Sequence, residues 1–430
     1  MKKSAAAICI LLALLTSCGG TSPKTENIPD VPPDQDAAET KKLVLWLIET
    51  GKRLDMIELQ VEKFMEEHRD IEIDIVQIPN DPYKSKLKLA LGGSNPPDVF
   101  HSWGEGSLKQ YVQAGQVLEL TNNINTDAFL PAALKGATFD GKIYGAPLAM
   151  TVVPVYYNKE IFSKHELEIP ATYEELLTII DKLNAEKIYP FALANKTKWP
   201  AALFLMYFAN RIAGNEVFAE AFERNGRGFD DEAYIEAGRL LQELVQRNAF
   251  SPGFNNLQYD AGQSRQLIYS GKAAMEIQTS NYINNVRNEA PEFEKKLGIF
   301  PFPAVASGEG QRTDIVGGIS PVFSVSANSK HPEAAVALIQ SLTSLELAQR
   351  MADDAGLISA IKGVQYSDPF TRELNKMMTS ATSVQTFYDQ TLPPELAELH
   401  KDTTQALLGN ELTPEEAAAQ MERLAQEVLR

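Results

Sequence analysis

The hydrophobic positions near the start of the chain form a strand–helix–strand pattern. Leu43 to Ile48 is a continuous apolar run, which predicts a strand buried on both faces. The next apolar residues recur at spacings of three or four and predict a helix; they are Ile57, Val61, Phe64 and Met65. Ile71, Ile73 and Ile75 then alternate with acidic residues, the period of a second strand.

The same alternation continues down the chain. A helix from about Asp81 to Leu91 is followed by the breaker at residues 92–97 and the short strand Asp98 to Phe100. Strands that alternate with helices predict an α/β fold with mostly parallel sheets flanked by helices. The second half is richer in helix, and a threonine followed three residues later by a glutamate predicts helix starts at Thr172 and Thr413.

The first eighteen residues have the pattern of an export signal. Lys2 and Lys3 precede the apolar run Ala5 to Leu14, which is too short to span a membrane. The segment that ends at Cys18 resembles a bacterial lipobox, so we expect a signal peptide at 1–17 and a lipid on Cys18. The alternative is an ordinary secretory signal that happens to contain a cysteine. Residues 18–40 are polar and small, which predicts a disordered tether.

Composition narrows the classes of function. The formal net charge is −17 over 430 residues, and loss of Lys2 and Lys3 with the signal would bring it to −19. This acidity argues against nucleic-acid binding. The only cysteines are Cys9 and Cys18, so the mature fold has no disulfide and no thiolate metal site. No later apolar run reaches about 18 residues, so we expect no second membrane span.

Several segments together resemble one protein family. They begin with Pro97 to Phe100, Trp103 and Tyr111 to Leu120, continue with 141–147 and 155–162, and end with 271–275, 317–335 and 412–417. In order and spacing they are similar to the extracellular solute-binding proteins of carbohydrate ABC importers, of the maltose and raffinose type. The resemblance covers the chain from about Lys41 to its end.

This resemblance implies a two-lobed periplasmic-binding-protein fold of type II, with the ligand in a cleft between the lobes. The N-lobe would comprise 41–150 and a return segment, 314–362. The C-lobe would comprise 151–313 and the C-terminal helices, 363–430. Ligand would close the lobes like a hinge, and an ABC permease in the membrane would accept the closed form. We expect a monomer that is exported and anchored by its lipid, with no cofactor.

A sugar site needs aromatic rings for the C–H faces and convergent polar groups for the hydroxyls. In an α/β sheet these should lie in loops after strands. Four such segments are present, at 49–51, 101–105, 195–199 and 278–282. With weaker candidates elsewhere, the predicted ligand-binding residues are Glu49, Trp103, Glu105, Tyr156, Asn195, Trp199, Gln278, Asn281, Tyr282, Gly317, Gly318 and Tyr388.

Each candidate also has a structural interpretation. Trp199 could only fix its loop to the next helix, and Glu49 and Glu105 could be solvated loop acids. Tyr156 and Tyr157 alternate across a strand, so at most one should face the cleft. Many family members have a glycine, a small residue and a tryptophan where this chain has Thr279 to Tyr282. That departure leaves a different ligand open.

Other classes of function remain as alternatives. An exported carbohydrate-active enzyme would need two positioned carboxylates, and the sequence shows no motif for them. The five histidines lack ligand spacing, so we expect no metal site. A surface adhesin would more often show repeats. Within the binding class, a polyamine, an iron chelate or a peptide could replace the sugar, and turnover would separate an enzyme from a binder.

Overall fold

The structure, a computed structural model, describes residues 40–429. The predicted signal peptide at 1–17, the lipid site at Cys18 and nearly all of the 18–40 tether lie outside the described residues. Among residues 40–429, no helix is both long enough and apolar enough to cross a membrane.

The strands are short and lie along the whole described chain. They are β1 Lys41–Leu47, β2 Ile71–Gln77, β3 Val99–Ser102, β4 Thr138–Phe139, β5 Lys142–Ile143, β6 Ala146–Pro147, β7 Ala149–Val152, β8 Val155–Asn158, β9 Tyr189–Phe191, β10 Ala273–Ile277, β11 Leu297–Phe300, β12 Ile315–Ile319, β13 Val322–Val325, β14 Ile358–Ser359 and β15 Val384–Thr386.

Helices connect and cover these strands. They are α1 Lys52–Glu67, α2 Asn80–Leu91, α3 Glu105–Gln113, α4 Pro131–Lys135, α5 Lys159–Lys164, α6 Tyr173–Ala185, α7 Trp199–Ala213, α8 Glu216–Phe222, α9 Glu232–Gln246, α10 Gln263–Tyr269, α11 Tyr282–Glu289, α12 Pro332–Leu342, α13 Leu345–Ala355, α14 Pro369–Thr379, α15 Tyr388–Thr391, α16 Pro394–Leu408 and α17 Pro414–Val428. Short 3-10 turns occupy Thr126–Ala128, Phe254–Asn256 and Pro291–Lys296.

Three larger sheets organise the chain. The first has the strand order β2-β1-β3-β13-β6, the second β11-β8-β10-β9, and the third β14-β7-β12-β15. The pairs β1–β2, β1–β3, β9–β10 and β12–β15 are parallel, whereas β8 pairs antiparallel with both β10 and β11. The predicted α/β class with flanking helices is therefore confirmed. Its sheets are mixed rather than mostly parallel, because some strands that return from distant parts of the chain pair antiparallel, as β13 does with β3 and β14 with β7.

The predicted strand–helix–strand unit is confirmed. β1 pairs with β2 in register from Lys41 opposite Ile71 to Leu47 opposite Gln77. Within β1, Leu43, Leu45 and Leu47 are fully buried, but the residues between them are only partly buried. The strand is thus more deeply buried on one face than on the other, whereas the continuous apolar run predicts equal burial.

The two predicted helix starts are confirmed by their hydrogen bonds. Thr172 accepts from the Glu175 N–H, and the Glu175 carboxylate accepts from the Thr172 N–H, which is a complete capping box. Thr413 and Glu416 repeat this arrangement at α17. These local signals stabilise a helix end wherever the helix later packs.

Separate hydrophobic clusters lie around the first and second sheets. α7 belongs to the cluster around the second sheet, and all of its residues from Pro200 to Arg211 are buried. The chain from Thr40 onward forms one compact unit, so the lobe boundaries stay a prediction. The third sheet joins strands from four separate parts of the chain, at 149–152, 315–319, 358–359 and 384–386.

Candidate functional site

A cavity of about 490 Å³ lies between elements of the first and second sheets. Such a volume is within the usual range for small-molecule sites. The first-sheet side contributes residues from the ends of β1, β2 and β3 and from the starts of α1 and α2. The opposite side comes from the start of α7, the loop before α10, and α11. Residues 387–401 complete the wall through α15 and α16.

A chain of polar groups, in which Glu49 and His101 are buried and Ser320 is half-buried, lies along the cavity. The Glu49 carboxylate lies 2.9 Å from His101 Nδ1, and His101 Nε2 lies 3.3 Å from the Ser320 hydroxyl. All three residues line the cavity. Burial raises the pKa of Glu49, but its partner His101 and the nearby Arg53 outweigh burial and hold that pKa below its usual value. Glu49 is therefore an ionised hydrogen-bond acceptor at neutral pH.

Arg53 brings a positive charge to the same cavity from the first turn of α1. Its side chain is 7% exposed, and burial lowers the pKa of the guanidinium to about 10 despite the opposing charge of Glu49. One guanidinium nitrogen donates to the Ala355 carbonyl at 3.4 Å. A charge so deeply buried contributes strong donors to whatever occupies the cavity.

Trp103 lies in the wall but has little free ring surface. Lys84 Nζ lies 4.9 Å from the centre of its ring, while Tyr83 and His101 contact it edge-on at 5.6 and 4.9 Å. Lys84 also forms an ion pair with Asp389 at 2.7 Å. Burial raises the pKa of Asp389, but Lys84 outweighs it and lowers that pKa.

Trp199 is the half-buried aromatic residue of the opposite wall. Its indole N–H points at the Asp81 carboxylate, 3.4 Å away, and its ring meets Tyr259 edge-on at 4.8 Å. Asp260, next along the chain, accepts from the Asp81 N–H at 3.0 Å. Burial and the neighbouring Asp81 carboxylate raise the pKa of Asp260. These contacts bring the two sides of the cavity together at Asp81.

A second ion pair supports the Tyr259 wall. Arg265 forms two bonds to Glu289, at 2.8 and 2.6 Å, and donates to the Tyr259 carbonyl at 3.1 Å. Its guanidinium lies 5.1 Å from the centre of the Tyr259 ring. The wall therefore offers donors and acceptors side by side, and the charge of Arg265 is compensated.

Some polar atoms on both sides of the cavity have no hydrogen-bond partner in the protein. Arg53 Nε, Thr197 Oγ1 and Asn281 Oδ1 are buried without a hydrogen bond, and all three residues line the cavity. Unpaired buried polar atoms cost free energy in a folded protein. The cavity wall thus retains hydrogen-bonding capacity that the protein itself does not use.

Of the residues predicted from the sequence, Glu49, Trp103, Trp199 and Asn281 line the cavity. Glu49 and Trp103 follow β1 and β3, as the rule for α/β sheets predicts. Trp199 begins α7 and Asn281 precedes α11. Each of the four segments proposed as one site therefore contributes a residue to the same cavity.

The predicted tyrosines do not line the cavity. Tyr156 and Tyr282 are fully buried and pack ring against ring at 4.4 Å. The Tyr156 hydroxyl supports the cavity indirectly, because it donates to the carbonyl of Thr279, which does line it. Tyr388 stacks on Phe218 at 4.0 Å in the core, while its neighbours Phe387 and Asp389 reach the cavity.

The predicted polar residues outside the lining have local roles. Asn195 accepts from the Ala201 N–H and donates to Asn255, which fixes the start of α7. Gln278 is buried and accepts from the adjacent Thr279 N–H. Glu105 begins α3, and burial raises its pKa, although Lys135 opposes the shift.

The two glycines in β12 also lie outside the lining. A Cβ on Gly317 would overlap the Thr151 carbonyl oxygen, and one on Gly318 would lie 3.3 Å from the Phe387 ring. Thr151 and Phe387 both line the cavity. The glycines therefore contribute to the site by letting these residues approach closely, and they do not face the cavity themselves.

Several lining residues are absent from the residues predicted by the sequence. Asp81 follows β2, so the rule applied to the other strand ends also indicates it. Arg53 lies four residues after Glu49, in the first turn of α1. Lys84 lies one turn after Asp81 on α2. Further lining residues reach the cavity through long-range packing; they include Tyr259, Asp260, Arg265, Asp389 and Lys401. Within residues 40–429, no cluster of three or more His, Cys, Asp or Glu side chains is placed to hold a metal ion.

Comparison with known proteins identifies one family and solved structures with a similar fold. The model of a family described as bacterial extracellular solute-binding protein matches residues 52–349. The multiple sugar-binding protein of Streptococcus mutans is 24% identical over 311 residues, which cover 71% of this chain and 72% of that protein.

Two solved structures superpose over most of the chain. One, from work on xylan utilization by the thermophilic bacterium Caldanaerobius polysaccharolyticus, has a TM-score of 0.84 at 29% identity and covers 89% of this chain and 99% of its own. The other, a chitin oligosaccharide binding protein, has a TM-score of 0.84 at 25% identity and covers 91% of this chain and 99% of its own. Both alignments extend well beyond the segment that the family model matches.

Proposed function

Because this chain belongs to the bacterial extracellular solute-binding proteins, we propose that it captures a sugar or an oligosaccharide in the cavity around Trp199 and delivers it to an ABC permease. The resemblance and the fold class predicted from the sequence are confirmed. The observation that carries the proposal is the lining itself. One cavity combines aromatic rings with carboxylates, amides and a buried guanidinium.

The chemistry of this lining suits a polyhydroxyl ligand. A carboxylate such as Glu49 accepts from hydroxyls, and charge-assisted bonds of this kind are about twice as strong as neutral ones. Arg53 and Asn281 add a donor and an acceptor whose atoms have no partner in the protein. The faces of sugar rings pack on aromatic surface, which Trp199 and Tyr259 supply. The names of the relatives, which mention sugars, chitin oligosaccharide and xylan, support this class of ligand.

Two lobes follow from the same proposal. The N-lobe would comprise 41–150 and 314–362, around the first sheet, and the C-lobe 151–313 and 363–430, around the second. The third sheet, whose strands come from both sets, would be the hinge region. Hinge closure would then bury the ligand between Asp81 on one lobe and Trp199 on the other.

Anchoring would keep the protein beside its permease. We place the lipid on Cys18, after removal of residues 1–17, with 18–40 as the tether. More than one acyl chain holds a protein at a membrane far better than a single chain does. Incorporation of labelled fatty acid in wild-type cells and its loss in Cys18→Ser would support the anchor, whereas release of the protein to the medium in both would refute it.

The binding proposal is tested by calorimetric titration of the purified protein with xylo-oligosaccharides, chito-oligosaccharides and raffinose-type sugars. We expect saturable binding of one class at about micromolar affinity, near −8 kcal/mol, with the sugar recovered unchanged. No heat with any sugar would refute the proposal, and polyamines, peptides and iron chelates would be titrated next.

Hydrolysis of acylated sugars is measured in the same samples, because three side chains at the cavity are arranged as in a hydrolase. Carboxylate, imidazole and hydroxyl stand in the order Glu49, His101, Ser320, which is also the order of these groups in the hydrogen-bonded triad of serine hydrolases. An ester hydrolase would release acid from acylated sugars, and Ser320→Ala would abolish the release. A binding protein leaves them intact.

A further inference from the structure

Several helices of the C-lobe have side-chain caps from the residue directly before them in the chain. Asn158 accepts from N–H groups of α5, Asp231 from α9, and Thr172 from α6. The free N–H groups at these helix starts are therefore satisfied locally, in the ordinary way.

Two helices of the N-lobe that begin at the cavity lack such caps. Gly51 precedes α1 and Pro79 precedes α2, and neither helix has a side-chain cap from its own N-cap residue. Glycine and proline have no side-chain oxygen with which to accept. Both helix starts lie at the cavity, since Arg53 and Asp81 line it.

Residues of the C-lobe cap these helices instead. Asn288 Oδ1 accepts from the Lys52 N–H at 3.1 Å, and Asp260 Oδ2 accepts from the Asp81 N–H at 3.0 Å. Asn284 adds a bond from its amide to the Thr50 carbonyl at 3.1 Å. The Asn288 side chain approaches Gly51 so closely that a Cβ on Gly51 would overlap the Asn288 amide nitrogen.

We propose that Asn288 and Asp260 are closure-specific helix caps, which stabilise the closed arrangement of the lobes and so position them for ligand capture. The inference rests on the proposed function, in which the lobes move. A lobe opening that separates these two pairs would remove both caps, because each donor and its acceptor lie on different lobes. The capping free energy therefore exists only in the closed form and adds to the apparent affinity for ligand.

Asn288 is the cleaner test of the two residues. It does not line the cavity, whereas Asp260 does, so a loss of affinity in Asn288→Ala is not a lost ligand contact. A lost cap should weaken binding about five-fold, equivalent to about 1 kcal/mol. The double variant with Asp260→Ala should weaken it by about 25-fold or more, because the two caps serve separate helices and Asp260 also lines the cavity. Asp260→Asn keeps an accepting oxygen and should recover much of the loss.

The controls are caps that lie within one lobe. Asn158→Ala and Asp231→Ala should lower the unfolding midpoint of the ligand-free protein and leave affinity unchanged. Asn288→Ala should instead weaken binding through faster ligand dissociation and leave the unfolding midpoint of the ligand-free protein unchanged. The measurements are calorimetric affinity, stopped-flow dissociation and thermal unfolding, on the full chain with whichever panel sugar the wild type binds.

The outcomes separate this inference from the function on which it rests. A wild type that binds while Asn288→Ala binds equally tightly would overturn the inference alone. So would a midpoint loss in Asn288→Ala as large as that in Asn158→Ala, because the cap would then be structural. A wild type that binds no sugar would overturn the proposed function and this inference together.

Discussion

Replacement of Glu276 by glutamine should stabilise the protein at alkaline pH. Glu276 lies in β10 and is 2% exposed. Burial raises the pKa of its carboxyl to about 7, although the Ser264 hydroxyl and the Arg265 guanidinium pull the pKa down. Folding at high pH therefore places a charge where the protein disfavours one. Glutamine has nearly the same shape and carries no charge.

The sign and size of the effect follow from proton linkage. In the unfolded chain the carboxyl has its ordinary pKa of 4.5, and in the folded protein its pKa is about 7. Between these values the folded protein binds more protons, so the stability that this group contributes is fully present below pH 4.5 and is lost as pH rises through 7. At about 1.4 kcal/mol for each tenfold change in acidity, the difference between the two pKa values corresponds to about 3 kcal/mol at pH 9.

The assay is urea unfolding of wild type and Glu276→Gln at pH 5, 7 and 9, followed by circular dichroism and fluorescence together. We expect the variant to be more stable by about 3 kcal/mol at pH 9 and by about 1 kcal/mol or less at pH 5. Glu62→Gln, an exposed glutamate on α1, is the matched control and should show no such trend. A variant that is less stable than wild type at pH 9, or an advantage that does not change with pH, would refute the reasoning.

Three further predictions concern the core, the cavity and the third sheet. Burial lowers the pKa of His400 to about 4, so the stability that this side chain contributes is present above pH 6.5 and is lost on acidification. At pH 4.5 the wild type should have lost about 2.5 kcal/mol of unfolding free energy, and His400→Gln should lose less in the same urea assay. Trp199→Ala should weaken sugar binding about ten-fold or more in calorimetry, whereas Trp46→Ala, whose ring lies outside the cavity lining, should lower stability and keep affinity. Gly317→Ala places a methyl group against the Thr151 carbonyl and should cost about 1–3 kcal/mol; thermal unfolding equal to wild type would show that the third sheet can shift.

Local signals make much of the fold predictable. The capping boxes at Thr172 and Thr413, and the strand–helix–strand unit that begins at Lys41, depend on residues close together in the chain. Strand direction is less predictable, because β13 joins the first sheet antiparallel after returning from far along the chain. A pattern of apolar residues specifies a strand but not which partner it meets.

The same distinction explains what can be predicted of the site. Glu49 and Trp103 are predictable because they follow strands, and the same rule indicates Asp81. Residue type alone favours Tyr156 and Tyr282 as cleft residues, but an aromatic ring has more apolar area to bury than a loop can cover, and both pack in the core. Asp389 reaches the cavity because α15 packs against α3, which no local pattern shows.

The charges of the cavity favour a neutral ligand even though the chain is strongly acidic. Lys84 is paired with Asp389 and Arg265 with Glu289, so each of these cations already has a carboxylate beside it. An anionic ligand would have to compete with those carboxylates, and a cationic ligand that binds at Asp389 or Glu289 would have to displace the paired lysine or arginine. A neutral sugar need do neither, because each hydroxyl can donate to a carboxylate oxygen and accept from a neighbouring cation at the same time. Ion pairs that oppose the binding of a charged solute thus become paired donors and acceptors for hydroxyl groups, which agrees with a sugar as the ligand.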